Sequence, residues 1–248
     1  MDKISRAEKR MSRKQKRSEE RITISNGLKI KNIKPKTDNQ ELVFKDFTNG
    51  KNLLIHGLPG TGKSFISLYL ALSEIENFRN YHKVTIIRSV VPSRDMGFLP
   101  GNIKEKSKVY EQPYQEICRE LYGRGDAYDI LKNKGMIDFQ TSSFLRGLTL
   151  DHSIIIVDEC QNMTFSELST IITRTGQNSK IIFCGDYRQT DLNKKKNDVS
   201  GLLKFFDIAY HMGAFTRIEF TPDDIVRSSL VKDYILAKLK FEDITEKT

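Results

Sequence analysis

The sequence predicts an α/β fold, a mostly parallel sheet with helices on both faces. Three observations predict it. Strand-like stretches, most of them short apolar runs, recur along the 248 residues at 53–56, 84–88, 154–157, 180–184 and 215–220. Runs of this length and composition suit strands buried on both faces. Amphipathic stretches fill the intervals, at 63–78, 105–122, 164–173, 200–212 and 228–240, and strands alternating with helices build a parallel sheet. A glycine-rich loop joins the first strand to the first of these helices, which sets a ligand site at the carboxyl ends of the strands.

The chain begins with a basic segment. Residues 1–36 carry 13 Lys and Arg against 4 Asp and Glu, a net of +9 that equals the charge of the whole chain. The rest is therefore balanced. Such a segment reads as a flexible arm that neutralises nucleic-acid phosphates, or as a solubility tail. The remaining residues, 37–248, form one domain. Within it Gln40 offers one acceptor and one amide donor, which match the N6 and N7 edge of adenine.

Residues Gly57, Leu58, Pro59, Gly60, Thr61, Gly62, Lys63 and Ser64 fit G-x-x-x-x-G-K-[ST] without deviation. The glycines let backbone N–H groups turn inward around a triphosphate, and the helix that follows aims its positive end at them. Lys63 reaches the β and γ oxygens, and the Ser64 hydroxyl holds Mg²⁺. The apolar run 53–56 before the loop and the dense apolar helix after it supply the strand and helix that this motif requires.

Residues 89–150 separate the second and third strands. They contain turn signals at Pro92, Met96-Gly97 and Pro100-Gly101, then a helical stretch. The segment is expected to be an insertion on the ligand-facing rim. The third strand, Ile154 to Val157, ends in Asp158-Glu159. Asp158 would join Ser64 at the metal, and Glu159 would polarise the attacking water. The fourth strand ends at Gly185-Asp186 and is followed by Gln189, whose side chain can hydrogen-bond the γ-phosphate or the water.

No apolar run approaches membrane-spanning length, and no apolar stretch follows the N-terminal basic residues as a secretory signal would require. Cys118, Cys160 and Cys184 have no metal-ligand spacing and read as reduced thiols of a cytoplasmic protein.

These segments together resemble the PhoH-like ATPase family, which is related to superfamily 1 helicases. The resemblance covers about residues 33–236. It rests on 37–40, 57–64, Met96-Gly97-Phe98-Leu99-Pro100-Gly101, Arg146-Gly147-Leu148-Thr149-Leu150, 158–162, Thr173-Arg174-Thr175-Gly176, 185–192 and Asp224-Ile225-Val226-Arg227-Ser228. Cys160 stands where the family usually has Ala, and Ser64 where it usually has Thr; neither change removes a needed oxygen. The resemblance implies a RecA-like P-loop NTPase fold, ATP hydrolysis with Mg²⁺, a ring-like oligomer, and a link to RNA or phosphate metabolism. Some relatives fuse a nuclease domain. Residues 1–36 are too short and too basic to hold a carboxylate metal site, so no nuclease activity is expected.

Monomeric superfamily 1 motors take an arginine from a second lobe. About 20 residues follow Arg227, so the arginine is expected from a neighbouring copy in a homo-oligomeric ring, a hexamer. Arg227, Arg174 and Arg146 are the candidates. Two functional readings stay open. One is a motor-type ATPase acting on RNA or single-stranded DNA. The other is a nucleotide-driven switch or scaffold acting on a protein partner without unwinding.

Overall fold

The structure, a computed structural model of the chain, describes residues 28–77, 80–89, 103–145, 147–186 and 201–245. The elements, in chain order, are α1 (Asp38–Thr48), β1 (Asn52–Gly57), α2 (Lys63–Asn77), β2 (Lys83–Arg88), α3 (Ile103–Tyr122), α4 (Ala127–Asn133), β3 (Ile137–Thr141), β4 (Ser153–Asp158), α5 (Phe165–Thr173), β5 (Lys180–Gly185), α6 (Leu202–His211), β6 (Phe215–Phe220) and α7 (Ser229–Thr245). The strands form one sheet in the order β3-β2-β4-β5-β1-β6. Every described pairing is parallel, so the sheet has an amino rim and a carboxyl rim.

Side chains alternate across each strand, so each apolar run feeds both faces. Leu53, Ile55, Val84, Ile86, Ile154, Ile156 and Ile182 pack with residues of α1, α2, α3 and α4 on one face. Leu54, Ile87, Ile155, Val157, Ile181 and Phe183 pack with α5 and α6 on the other. Helices thus cover both faces, as the sequence predicts. Among the described residues, no helix is long and apolar enough to cross a membrane.

Two expectations are corrected. The segment 89–150 is more than a rim insertion: α3 and α4 pack on the core, and β3 extends the sheet beyond β2. Strand β3 escapes a search for apolar runs because its burial alternates along Ile137–Thr141. The docked body also starts before residue 37. Leu28, Ile30 and Ile33 pack against the core, and Lys31 N–H donates to Leu121 O at 2.9 Å. A basic composition hid this apolar spacing. Residues 1–27 lie outside the described residues. Gln40 lies in the first turn of α1, where the Thr37 side chain caps its N–H.

Candidate active site

The glycine-rich loop leaves β1 through a conformation open only to glycine. Gly57 has φ +124°, and a Cβ there would stand 2.1 Å from the Phe220 carbonyl oxygen. Neighbouring backbone then fixes the loop. Val226 N–H donates to Gly60 O at 3.1 Å and Leu58 N–H to Phe220 O at 3.3 Å. The buried Thr61 hydroxyl donates to Leu58 O at 2.9 Å. Helix α2 opens at Lys63, so its unpaired first N–H groups and the positive end of its dipole belong to the loop. The Lys63 ammonium donates to Gly57 O at 2.8 Å and Leu58 O at 2.7 Å. Burial lowers its pKa, against the pull of Asp186, Cys184, Glu159 and Asp158.

Strand β5 lies between β1 and β4 in the sheet, so Asp158 must reach past it to meet the loop. It does so: Ser64 Oγ donates to Asp158 Oδ1 at 2.8 Å. The second carboxylate oxygen is also engaged, by the hydroxyl of Tyr114 on α3 at 2.8 Å. Tyr114 is 1% exposed. Burial, then Asp158, pushes its pKa well up, so it remains a donor. Arg88 ends β2 in register with Asp158. Burial opposes its charge, but Tyr114, Asp158 and Glu159 outweigh that and raise its pKa.

Glu159 stands in the left-handed region, φ 51° and ψ 39°, which costs a non-glycine residue about 1 kcal/mol. Burial, then Asp158, raises the pKa of its carboxyl, which makes it a better proton acceptor once ionised. Gln161, 3% exposed, holds it. Its Nε2 donates to Glu159 Oε2, while its Oε1 accepts from Asp186 N–H at 3.0 Å. Gly185 makes room for this clamp, because a Cβ there would stand 2.6 Å from Cys160 Sγ and 3.0 Å from Gln161 Oε1. Gln189 lies outside the described residues.

Gln40 is buried against the loop. Its Oε1 accepts from Lys36 N–H at 2.8 Å and its Nε2 donates to Thr61 O at 3.0 Å. One N–H and one lone pair remain for a purine. The same segment is tied to the stretch before α7, since Asn39 Nδ2 donates to Asp224 Oδ2 at 2.7 Å. Arg227 follows, and its Cγ stands 2.8 Å from where a Gly60 Cβ would be. It therefore lies along the loop of its own chain. Arg174 ends α5 at the amino rim, where its carbonyl accepts from Leu150 N–H at 2.9 Å. A six-residue strand spans about 20 Å, so Arg174 does not meet its own loop. Arg146 and the segment Met96–Gly101 lie outside the described residues.

Sequence reasoning did not single out Arg88, Tyr114 or Gln161. Arg88 could have been found, because a charged residue ending a central strand lies on the ligand rim. Tyr114 sits in an amphipathic helix and carries no comparable signal. The donor set fits the expected ligand. Hard oxygens of Ser64 and Asp158, brought together from elements 94 residues apart, suit Mg²⁺ beside a triphosphate.

Residues 32–238 match the family described as PhoH-like protein. The chain is 32% identical over 215 residues to a PhoH-like protein of Bacillus subtilis (strain 168), covering 86% of this chain and 66% of that one. It is 30% identical over 177 residues to Protein PhoH of Escherichia coli (strain K12), covering 70% of this chain and 49% of that one. The chain thus spans about half to two thirds of the length of these relatives. Among solved structures, the large terminase of a thermophilic bacteriophage superposes with a TM-score of 0.49 at 14% identity, covering 81% of this chain and 50% of that one. The fold is a six-stranded parallel sheet with the glycine-rich loop between its β1 and α2, and the chain belongs to the PhoH-like family.

Proposed function

We propose that this chain hydrolyses ATP with Mg²⁺ and couples turnover to RNA or single-stranded DNA. The observation that carries the reading is the contact between Ser64 and Asp158 at 2.8 Å, with Glu159 beside it and Lys63 at the loop carbonyls. A plain glycine-rich turn gains nothing from three acids and a lysine gathered at one rim.

In this reading the loop N–H groups and Lys63 bind the phosphates, and Gln40 and Arg227 face the rest of the nucleotide. Ser64 and Asp158 hold Mg²⁺, which when bound supplies positive charge to the phosphate oxygens. Glu159 accepts a proton from water as the water oxygen bonds to the γ-phosphorus. The bond from that phosphorus to the β–γ bridging oxygen breaks, and ADP leaves. Gln161 keeps the Glu159 carboxylate aimed during this step.

Two finer parts of the reading rest on other observations. The charge of +9 in residues 1–36 supports contact with nucleic-acid phosphates. The remoteness of Arg174 from its own loop supports service to a neighbouring copy in a homo-oligomeric ring, a hexamer. Leu230 and Tyr234, 77% and 67% exposed on α7 beside Arg227, are suited to face that copy.

Lys63→Ala is expected to abolish nucleotide binding. Glu159→Gln is expected to keep ATP bound while turnover falls about 10²–10⁴-fold; full activity in that variant refutes the assigned base. RNA or single-stranded DNA should stimulate turnover with a steep salt dependence. Light scattering with ATP and Mg²⁺ tests the ring, and a monomer that turns over at the full rate sinks it.

A further inference from the structure

We propose that Tyr114 is a positioning residue for the metal-holding carboxylate of Asp158, and that with Arg88 it ties the metal site to helix α3. The inference rests on the Mg²⁺–ATP reading above and extends it to residues outside the loop and the strand-end acids.

Asp158 ends a strand buried along its whole length, so its backbone is fixed. Its carboxylate plane is set only by what bonds the two oxygens. Ser64 Oγ donates to Oδ1 and Tyr114 Oη to Oδ2, each at 2.8 Å. These donors differ in kind. Ser64 belongs to the loop and would itself present a lone pair to the metal, which takes its hydroxyl away from a purely orienting task. Tyr114 comes from α3 and keeps that task. Its ring is locked for it. It is 1% exposed and lies against Phe139 of β3, centroids 5.9 Å apart at 43°. In this apolar surrounding the hydroxyl is a polar atom that needs a partner, and Asp158 is that partner.

Arg88 supplies the second link. It stands beside Asp158 in strand register. Its guanidinium carbon lies 5.8 Å from the ring centre of Tyr110. Tyr110 and Tyr114 are one helical turn apart on α3, so they share a face. That face meets both the strand-end arginine and the metal-holding acid. A shift of α3 along its axis therefore cannot leave the Asp158 carboxylate unchanged. Outer hydrogen bonds of this kind typically tune metal affinity or activity by about 10–100-fold.

The test uses the full chain and a fluorescent ATP analogue, titrated in EDTA and across a Mg²⁺ series. Wild type is expected to bind more tightly as Mg²⁺ rises. Tyr114→Phe keeps the packed ring and loses only the donor. It should match wild type in EDTA but need about 10–100-fold more Mg²⁺ for half the gain. Arg88→Met should shift the Mg²⁺ requirement in the same direction by less. A Tyr114→Phe curve that overlays wild type across the series overturns the assignment, as does an equal loss of affinity in EDTA and in Mg²⁺. An unshifted Arg88→Met curve overturns the link through Arg88. Wild type that shows no Mg²⁺ effect overturns the metal reading itself, which is a different failure. Thermal melts of both variants exclude a folding defect.

Discussion

At the carboxyl rim the strands end in charge, with Asp158 closing β4, Asp186 after β5 and Lys63 beyond β1. At the amino rim the polar groups close backbone turns instead. Ser179 Oγ donates to Leu150 O at 2.6 Å and accepts from Ser153 N–H at 3.0 Å, and Asp151 Oδ1 accepts from Gln177 N–H at 2.7 Å. Backbone strain divides in the same way. Among the described residues, three non-glycines have positive φ: His152, Glu159 and Asn178. His152 and Asn178 are at the amino rim, and their residue types enter the left-handed region readily. Glu159 has no such local reason. It is held there by Gln161 and by the acid that precedes it in a buried strand. Strain at one rim follows from the residue type, and at the other it is imposed by the site, as is usual where a side chain must be aimed.

A pair of glycines offers the largest test of this contrast. Gly57→Ala puts a Cβ 2.1 Å from a backbone oxygen of β6 at φ +124°. Neither the sheet nor the loop can yield without losing its shape. The expected cost is about 2–4 kcal/mol, with nucleotide binding lost in a titration. Gly176→Ala at the amino rim looks worse by distance, 2.0 Å from Asp151 Oδ1. That atom ends a side chain that can rotate, at the expense of its bond to Gln177 N–H. The expected cost is about 1 kcal/mol in a urea melt, with nucleotide affinity unchanged. If both variants lose binding equally, the rims do not divide the work as described.

Gln161→Leu gives a smaller effect, confined to the carboxyl rim. It removes the clamp between Glu159 and Asp186 N–H while preserving side-chain volume. Turnover should fall about 10–100-fold, the scale of a misaimed catalytic group. Nucleotide affinity should stay within about twofold, since the phosphate contacts are untouched. Steady-state turnover beside a binding titration separates the two. Wild-type turnover in a folded variant would remove the aiming role.

How much of this was legible in the sequence depends on which signal each residue carries. The loop 57–64 and Asp158-Glu159 were legible because their chemistry is local: residue types at fixed spacing beside an apolar run. Four strands were legible because near-continuous apolar runs mark burial on both faces, and β6, whose burial alternates, through Phe215, Ile218 and Phe220. Strand β3 was not, since Ile137, Phe139 and Thr141 are buried while Asp138 and Gln140 are not. Helix α1 did carry a signal that went unused, Thr37 followed three residues later by Gln40. The structure uses half of that pattern. Thr37 caps Gln40 N–H, but the Gln40 carboxamide turns to Lys36 N–H and to the loop. Tyr114 was beyond reach, because its role exists only once α3 is laid beside the end of β4.

Ser179→Ala is the smallest change and the sharpest control. The Ser179 hydroxyl links Leu150 O to Ser153 N–H, and Ser153 is fully buried. Removing the oxygen leaves that N–H unsatisfied, at a cost of about 1–2 kcal/mol. For a domain of this size that lowers Tm by about 2–8 °C. The site should not register the loss, because the distance from one rim to the other is about 20 Å along rigid, fully paired strands. Turnover per folded molecule at 25 °C is expected to match wild type. Calorimetry and a rate assay on the same preparation decide the matter: a lowered Tm with unchanged turnover upholds two separable rims, whereas a turnover loss comparable to that of Gln161→Leu would show that the amino rim also sets the geometry of the site.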